Sequence, residues 1–350
     1  MKKFVEKYCD SKAVVCIEGA VDVAVALNNL NLDLICFTGS TQVGKIIAQT
    51  AAKNLTPCIL ELGGKCPLIV DHTAAMDFSA SKIAFGKTIN SGQICIAPDY
   101  IFVHESRVKE FVEAVQVKFK QMYGEKPEGS EFQGKMITDF HVDRVKKLID
   151  TAGGKIVCGG NVNKEVKHIE PTIILQPSLD SPLMKEEIFG PVMPIFPYKD
   201  IREVVKFINA RDKPLAIYYF GQPDSYNATM LHSETSSGAF VTNEVITHIN
   251  SHSLGFGGVG ASGYGRHGGY EGYKNFSNRK SLLIKGPAPA MVAGMLVPPY
   301  SPRIQGFLRN WGLFLLTTNW SKIAFYLKLF VGTWLVAVVY WFFFTSSTTE

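Results

Sequence analysis

Cys95 is the side chain with the clearest chemical potential in this sequence. It lies in the stretch SGQICIAPD over residues 91–99, between two isoleucines, after a glycine and before a proline. A cysteine thiolate is an effective nucleophile. A cysteine outside a disulfide is also among the residue types most often buried for packing. The local sequence therefore leaves both a nucleophile and a packing residue open.

Glu61 is the candidate partner for such a nucleophile. The stretch LELGGK over residues 60–65 places its carboxyl group in an apolar strand that ends before two glycines. Apolar surroundings raise the pKa of a carboxyl group, and a raised pKa suits a general base. The structural alternative is an acid at a strand end that forms a salt bridge.

A third candidate site is the glycine-rich stretch GSTQVGKI over residues 39–46. It approaches the P-loop pattern, but Ile46 stands where that pattern needs a Ser or Thr to bind magnesium, so a P-loop NTPase is a distant alternative. A strand that ends at Gly39 and a helix that follows it still form an anion site suited to a dinucleotide phosphate. The candidate binding residues are Gly39, Ser40 and Thr41.

Two further patterns are interpreted as chance. GFGGVG over residues 255–260 contains G-x-G-x-x-G, but it lies in a long glycine-rich loop rather than at a strand-to-helix turn. His248 and His252 are four residues apart without the glutamate of a metalloprotease helix. We therefore predict no metal site.

The elements that position these residues alternate between strand and helix. Helices are predicted over residues 21–30, 42–53, 77–89, 107–123 and 201–210. Strands are predicted over 13–19 and 33–39, and in the runs CILELGG, CPLIV, KIVCGG, TIILQ, VMPIFPY and LAIYYFG. This alternation predicts an α/β fold with a mostly parallel sheet.

Composition narrows the class of protein. The chain has 350 residues, is 46% hydrophobic and carries a net charge of +5. That is enough apolar content for a sizeable core in about two domains. The charge is too small to indicate nucleic-acid binding, and no basic run is interleaved with aromatic residues. The seven scattered cysteines form no CxxC pair, which indicates a reducing compartment.

The C-terminal part differs in composition. Residues 323–344 contain one charge, Lys328, and a helix of this length spans about 33 Å, so we predict a transmembrane anchor. Basic residues precede the segment, which places the N-terminal part in the cytosol. Five prolines between residues 286 and 303 predict a linker. Apolar residues at helical spacing over 304–315 predict a helix, either at the membrane surface or docked on the globular part.

The motifs, taken together, resemble the aldehyde dehydrogenase family. FTGST, LELGGK, NSGQIC and EEIFGPV follow one another in the order and approximate spacing of that family. AAKNLTP, IAPDY and the apolar C-terminal segment resemble its class 3, fatty aldehyde branch. The resemblance runs from about residue 14 to residue 283. It implies a partial Rossmann-type cofactor domain and an α/β catalytic domain.

The resemblance implies a role for each candidate residue. Cys95 matches the nucleophile, and Glu61 matches the base that activates water. Gly39, Ser40 and Thr41 match the phosphate-binding turn of an NAD or NADP site, where Ser40 binds the pyrophosphate. Glu187 matches the residue that holds the nicotinamide ribose, and Phe189 packs near the nicotinamide ring. The implied reaction oxidises a hydrophobic aldehyde to a carboxylic acid through a thiohemiacetal and a thioester on Cys95.

We accordingly expect five segments. They are a partial cofactor domain (1–61), a catalytic domain (62–245), a C-terminal segment of the dehydrogenase fold (246–285), a linker with an interfacial helix (286–321) and the anchor (322–345). The resemblance also implies a homodimer at the endoplasmic reticulum membrane. It further implies that about a third of the family's chain precedes what is Met1 here, with little turnover as the expectation for these 350 residues. The alternative is a non-catalytic, membrane-tethered binding or scaffold protein.

Overall fold

A short parallel pair of strands carries two of the candidate sites. The computed structural model describes residues 1–284, 286, 297–298, 301–317 and 320–345. Strands β1 (Ile35–Gly39) and β2 (Cys58–Leu62) run parallel, and the helix α3 (Thr41–Ala52) connects them. The short strand β12 (Gly263–Tyr264) pairs antiparallel with the other edge of β2, which completes a three-stranded sheet.

A larger sheet of seven strands forms the centre of the first compact unit, residues 1–278. Its order is β11-β10-β3-β4-β9-β8-β5, and all pairs are parallel except β5 with β8. The strands are β3 (Pro67–Val70), β4 (Tyr100–His104), β5 (Lys155–Cys158), β8 (Thr172–Leu175), β9 (Val192–Tyr198), β10 (Ala216–Phe220) and β11 (Ala239–Thr242). The pair β6 (Val162–Asn163) and β7 (His168–Ile169) is separate.

Side-chain alternation along the strands gives this sheet two buried faces. Leu68 and Val70 of β3 belong to one hydrophobic cluster, whereas Ile69 between them belongs to another. Helices α4 (Met76–Thr88) and α5 (Val108–Tyr123) supply residues to the first cluster, and α8 (Ile201–Asn209) and α9 (Tyr226–Glu234) supply residues to the second. Because both faces are covered, the strands read as continuous apolar runs.

The remaining helices of the first unit are α1 (Lys2–Tyr8), α2 (Val21–Asn28), α6 (Asp139–Asp150), α7 (Pro182–Lys185) and α10 (Gly269–Asn275). The predicted strand over residues 13–19 does not form. Its apolar side chains stay largely exposed, for example Val15 at 71% and Ile17 at 57%. Apolar β-branched residues form a strand only where a neighbouring strand and a core receive them.

The second unit, residues 279–350, contains α11 (Pro302–Thr317) and α12 (Trp320–Thr345), which confirms the helices predicted over 304–315 and 323–344. Within the described ranges, no helix combines the length and the apolar character that crossing a membrane requires. The transmembrane prediction therefore has no support from the structure. The side chains of residues 338–344, in that predicted span, and most of the predicted linker over 286–303 lie outside the described residues. The five predicted segment boundaries stay predictions.

Candidate active site

The loop that carries Cys95 leads into the amino end of β4. Three consecutive residues before it, Asn90, Ser91 and Gly92, have left-handed backbone angles, with φ of 50°, 56° and 72°. At Gly92 a side chain is excluded, because a Cβ atom would lie 2.5 Å from the carbonyl oxygen of Gly190. This close approach brings the Cys95 loop against the loop that contains Glu187.

Cys95 is half-buried, and its thiol is strongly biased toward the protonated form. Burial is the main cause that raises its pKa to about 11, and the nearby carboxyl groups of Glu187 and Glu61 add to the rise. The backbone N–H groups of Cys95 and Ile96 act in the opposite direction, because they donate toward the sulfur. The structure thus brings the three predicted residues within electrostatic range of one another, with two N–H donors at the thiol.

Glu61 lies in β2, opposite Thr38 of β1 on one side and Gly263 of β12 on the other. The residue is 3% exposed, and neither carboxyl oxygen has a hydrogen-bond partner. Burial raises its pKa to about 7, although the charge of Arg266 acts to lower it. A carboxyl group without partners and with a pKa near neutrality has the properties of a general base.

Glu187 stands before β9, over the two glycines that follow Glu61. Burial and the charge of Asp99 raise its pKa to about 7, whereas a hydrogen bond from the backbone N–H of Gly64 lowers it. A Cβ atom at Gly63 would lie 2.1 Å from Oε2 of Glu187, so only glycine permits this approach. The GG of LELGGK thus lets the Glu187 carboxyl group reach the site.

Lys65 and Asp99 join the end of the Glu61 strand, the Cys95 loop and the Glu187 loop. The sequence patterns do not indicate this contact. The two residues form a buried ion pair. The Lys65 ammonium also donates to the carbonyl oxygens of Leu183 and Glu186, at 2.8 and 2.7 Å. Asp99 Oδ2 accepts from the N–H of Ile188 at 2.9 Å. Both residues lie inside the quoted motifs, so their positions were visible, but nothing in the sequence shows that they pair.

The predicted phosphate-binding turn lies beside this site. Helix α3 begins directly after β1, and the Ser40 hydroxyl caps it by accepting from the N–H of Val43 at 3.3 Å. No wrapped loop precedes the helix, which argues against a P-loop. Thr41 and Glu187 line one cavity of about 490 Å³ together with Gly64 and Lys65.

These residues fit a nicotinamide cofactor. A capped helix N-terminus suits a phosphate, and a carboxylate on the wall of the same region suits a ribose hydroxyl. Phe189 adopts a left-handed φ of 47° two residues after Glu187. The individual roles of Gly39, Ser40, Thr41, Glu187 and Phe189 stay predictions.

His267 is a third residue of the site that the sequence patterns do not indicate. Its ring nitrogen Nε2 lies 3.7 Å from Oε1 of Glu61. It follows β12 and is 206 residues from Glu61 along the chain, so only the fold reveals the proximity. Over the described residues, no group of three or more His, Cys, Asp or Glu side chains is arranged to hold a metal ion.

The fold belongs to the class of mostly parallel α/β folds of dinucleotide-binding type, with the thiol of Cys95 and the unpaired carboxyl group of Glu61 close enough to influence each other. The aldehyde dehydrogenase family model matches residues 7–282, and the chain belongs to this family. The match covers both sheets and all the candidate site residues.

Three comparisons illustrate the relationship. The chain is 43% identical over 281 residues, 80% of its length, to rat "Aldehyde dehydrogenase, dimeric NADP-preferring", and 37% identical over 339 residues, 97% of its length, to rat "Aldehyde dehydrogenase family 3 member A2". A solved structure of substrate-bound AldH from Staphylococcus aureus superposes with a TM-score of 0.79 at 35% identity, over 89% of this chain and 67% of that one. The chain spans 61% and 69% of the two rat proteins.

Proposed function

We propose that this chain carries the catalytic site of an enzyme that oxidises aldehydes to carboxylic acids with NAD or NADP. The observation that carries the proposal is the convergence of Cys95, Glu61 and Glu187 at one place. Glu61 is held there with both oxygens unpaired and with a pKa near 7. A packing cysteine needs no such carboxyl group beside it.

In the proposed mechanism, Cys95 attacks the aldehyde carbonyl and forms a thiohemiacetal. The N–H groups that donate toward the sulfur lie where an oxyanion develops next to it. A nicotinamide cofactor, when bound, supplies the acceptor for the hydride that leaves the aldehyde carbon, which turns the adduct into a thioester. Glu61 takes a proton from the water that attacks this thioester, and Cys95 is released.

The proposed substrate class is a hydrophobic aldehyde. A cavity of about 200 Å³ is lined mostly by apolar residues and glycines, among them Phe240, Val241 and Phe256, with His248 and Arg266 as its polar side chains. Phe256 belongs to the hydrophobic cluster against which Cys95 packs. A relative from Staphylococcus aureus, 37% identical over 313 residues, is named for 4,4'-diaponeurosporen-aldehyde. These observations support an apolar aldehyde.

The formation of reduced cofactor tests the proposal. Aldehyde-dependent formation of NADH or NADPH is measured at 340 nm across aldehydes of increasing chain length, for the 350 residues and for the same residues joined to the front third of a related enzyme. Activity that is lost in Cys95→Ser supports the proposal. Glu61→Gln should retain a burst of about one reduced cofactor per site and lose the subsequent turnover. Turnover that survives Cys95→Ser refutes the mechanism. Inactivity of both folded forms toward every aldehyde with either cofactor favours the non-catalytic alternative.

Assembly and location are separate proposals. The word dimeric in the name of the rat relative supports a homodimer, which light scattering after size-exclusion chromatography tests. The basic residues before a segment with one charge in 22 residues support membrane association with a cytosolic catalytic part. The endoplasmic reticulum is the membrane that the resemblance to the fatty aldehyde branch implies. Fractionation and carbonate extraction of the full chain test this location.

A further inference from the structure

The carboxyl group of Glu61 is shielded from bulk solvent. The residue is buried, and no hydrogen bond ties either oxygen to another group. A base that takes a proton from water in every turnover has to release that proton before the next one. Another group therefore has to receive the proton from Glu61.

His267 lies between the buried carboxyl group and solvent. Its Nε2 is 3.7 Å from Glu61 Oε1, and its side chain is 39% exposed, compared with 3% for that of Glu61. A separation of 3.7 Å is too long for a hydrogen bond. Small movements or one water molecule close such a gap, as catalytic contacts in empty sites often require.

The position of the His267 ring is fixed by its backbone. His267 and Phe256 exchange two hydrogen bonds, with N···O distances of 2.7 and 2.8 Å, and their rings pack with centroids 5.2 Å apart. Gly263, four residues earlier, pairs with Glu61 itself in the three-stranded sheet. The same strand pairing that buries Glu61 therefore holds the imidazole beside it.

The other charged or titratable groups that face Glu61 do not carry its proton to solvent. Arg266 donates to the carbonyl oxygens of Gly255 and Gly238, and a guanidinium group accepts no further proton. Burial raises the pKa of the Cys36 thiol, which therefore holds its own proton. The Cys95 thiolate released in deacylation can accept a proton, because burial raises its pKa, but it has to lose that proton again before it attacks the next aldehyde. Imidazole is the side chain that exchanges protons readily near neutral pH.

We propose that His267 relays to solvent the proton that Glu61 takes from the hydrolytic water. This inference rests on the proposed function and deepens it. Water oxygen bonds to the thioester carbon, and the C–S bond breaks with sulfur leaving as the thiolate. The water proton passes to Glu61 Oε1, then to Nε2 of neutral His267, and the imidazolium gives a proton to bulk water. His267 is a positioning residue in this scheme, because it acts only through Glu61.

An activated ester tests the relay without any cofactor. With p-nitrophenyl acetate, acylation of Cys95 releases a burst of p-nitrophenolate, and the following steady state reports deacylation. His267→Ala and His267→Gln should each keep a burst of about one per site and slow deacylation roughly tenfold or more. His252→Ala, in an exposed loop of the same region, is the matched control and should leave both phases unchanged.

Three readouts separate a relay from a structural effect. Imidazole in the buffer should restore deacylation in His267→Ala but not in Glu61→Gln. The pH profile of deacylation should lose one ionisation in His267→Ala. The double variant Glu61→Gln/His267→Ala should deacylate no more slowly than Glu61→Gln, because one route cannot be interrupted twice.

The outcomes distinguish this inference from the proposed function. Wild-type deacylation in His267→Gln, with its melting curve unchanged, overturns the relay and leaves the proposed function intact. Slow deacylation without imidazole rescue, and with additive effects in the double variant, also overturns the relay. Absence of a burst in the folded wild-type chain overturns the proposed function, and the relay with it.

Discussion

The free energy of unfolding of Glu61→Gln should exceed that of the wild type by a larger amount at alkaline pH than at acidic pH. Burial raises the pKa of this carboxyl group from its ordinary value of 4.5 to about 7. The folded state therefore holds the proton more tightly than the unfolded state. The stability from this proton is fully present below about pH 4.5 and is lost as the pH rises through about 7.

The size of the effect follows from the same two values. Above pH 7, an ionised Glu61 lowers the free energy of unfolding by about 3 kcal/mol, and at pH 5 by about 1 kcal/mol. Glutamine does not titrate. The stability difference between Glu61→Gln and the wild type should therefore increase by about 2.5 kcal/mol from pH 5 to pH 8.5, which corresponds to a change in Tm of roughly 4 °C for a chain of this length.

Differential scanning fluorimetry and urea unfolding at the two pH values measure this difference. Using the difference between pH values removes any constant effect of placing an amide in the site. Glu131→Gln changes an exposed glutamate and serves as the control, with no pH-dependent gain expected. If the stability difference for Glu61→Gln is the same at pH 5 and pH 8.5, the pKa of the Glu61 carboxyl group is not raised in the folded state. Its description as a general base with a pKa near 7 then fails.

Three further predictions concern Gly63, Cys95 and the C-terminal segment. Gly63→Ala should displace the Glu187 carboxyl group and raise the KM for the cofactor about tenfold or more. Gly129→Ala, with open space around it, is the control and should leave the KM unchanged. Equal KM values for the two variants would contradict the close packing of Gly63 against Glu187. Alkylation of Cys95 by iodoacetamide should be slow at pH 7 and rise about tenfold per pH unit toward pH 10. A flat profile, read by mass spectrometry with Cys95→Ser as the control, would refute the raised pKa. The full chain should sediment with membranes and a variant ending at residue 319 should not; identical fractionation would remove the membrane proposal.

The local patterns of the sequence predicted β1, β2 and five of the seven central strands, but not β4 and β11, and they did not predict the helices α6 and α9. The continuous apolar runs of β3 and β10 predicted buried strands correctly, because both faces of the seven-stranded sheet are covered by helices. The strand predicted over residues 13–19 has the same composition and does not form. Composition shows that a segment is apolar, but the presence of a neighbouring strand depends on tertiary structure.

The candidate site likewise contains residues that local motifs reveal and residues that only the fold brings together. Cys95, Glu61 and Glu187 lie in short motifs that the sequence displays directly. The Lys65–Asp99 ion pair and the approach of His267 depend on contacts between distant parts of the chain, which single-sequence patterns do not encode. The sequence also suggested that Glu61 would lie in apolar surroundings, and the structure explains how, because strands flank it on both sides.

The pairing of β12 with β2 has a consequence for synthesis on the ribosome. The strand with Glu61 acquires its antiparallel partner only when residues 263–264 have emerged, about 200 residues later. At roughly 5–20 residues per second, that interval lasts on the order of 10–40 s. During it, one edge of β2 is an unpaired apolar strand in the nascent chain, open to association with other chains. The strand that presents the base is therefore the part of this sheet for which chaperone protection during translation would matter most.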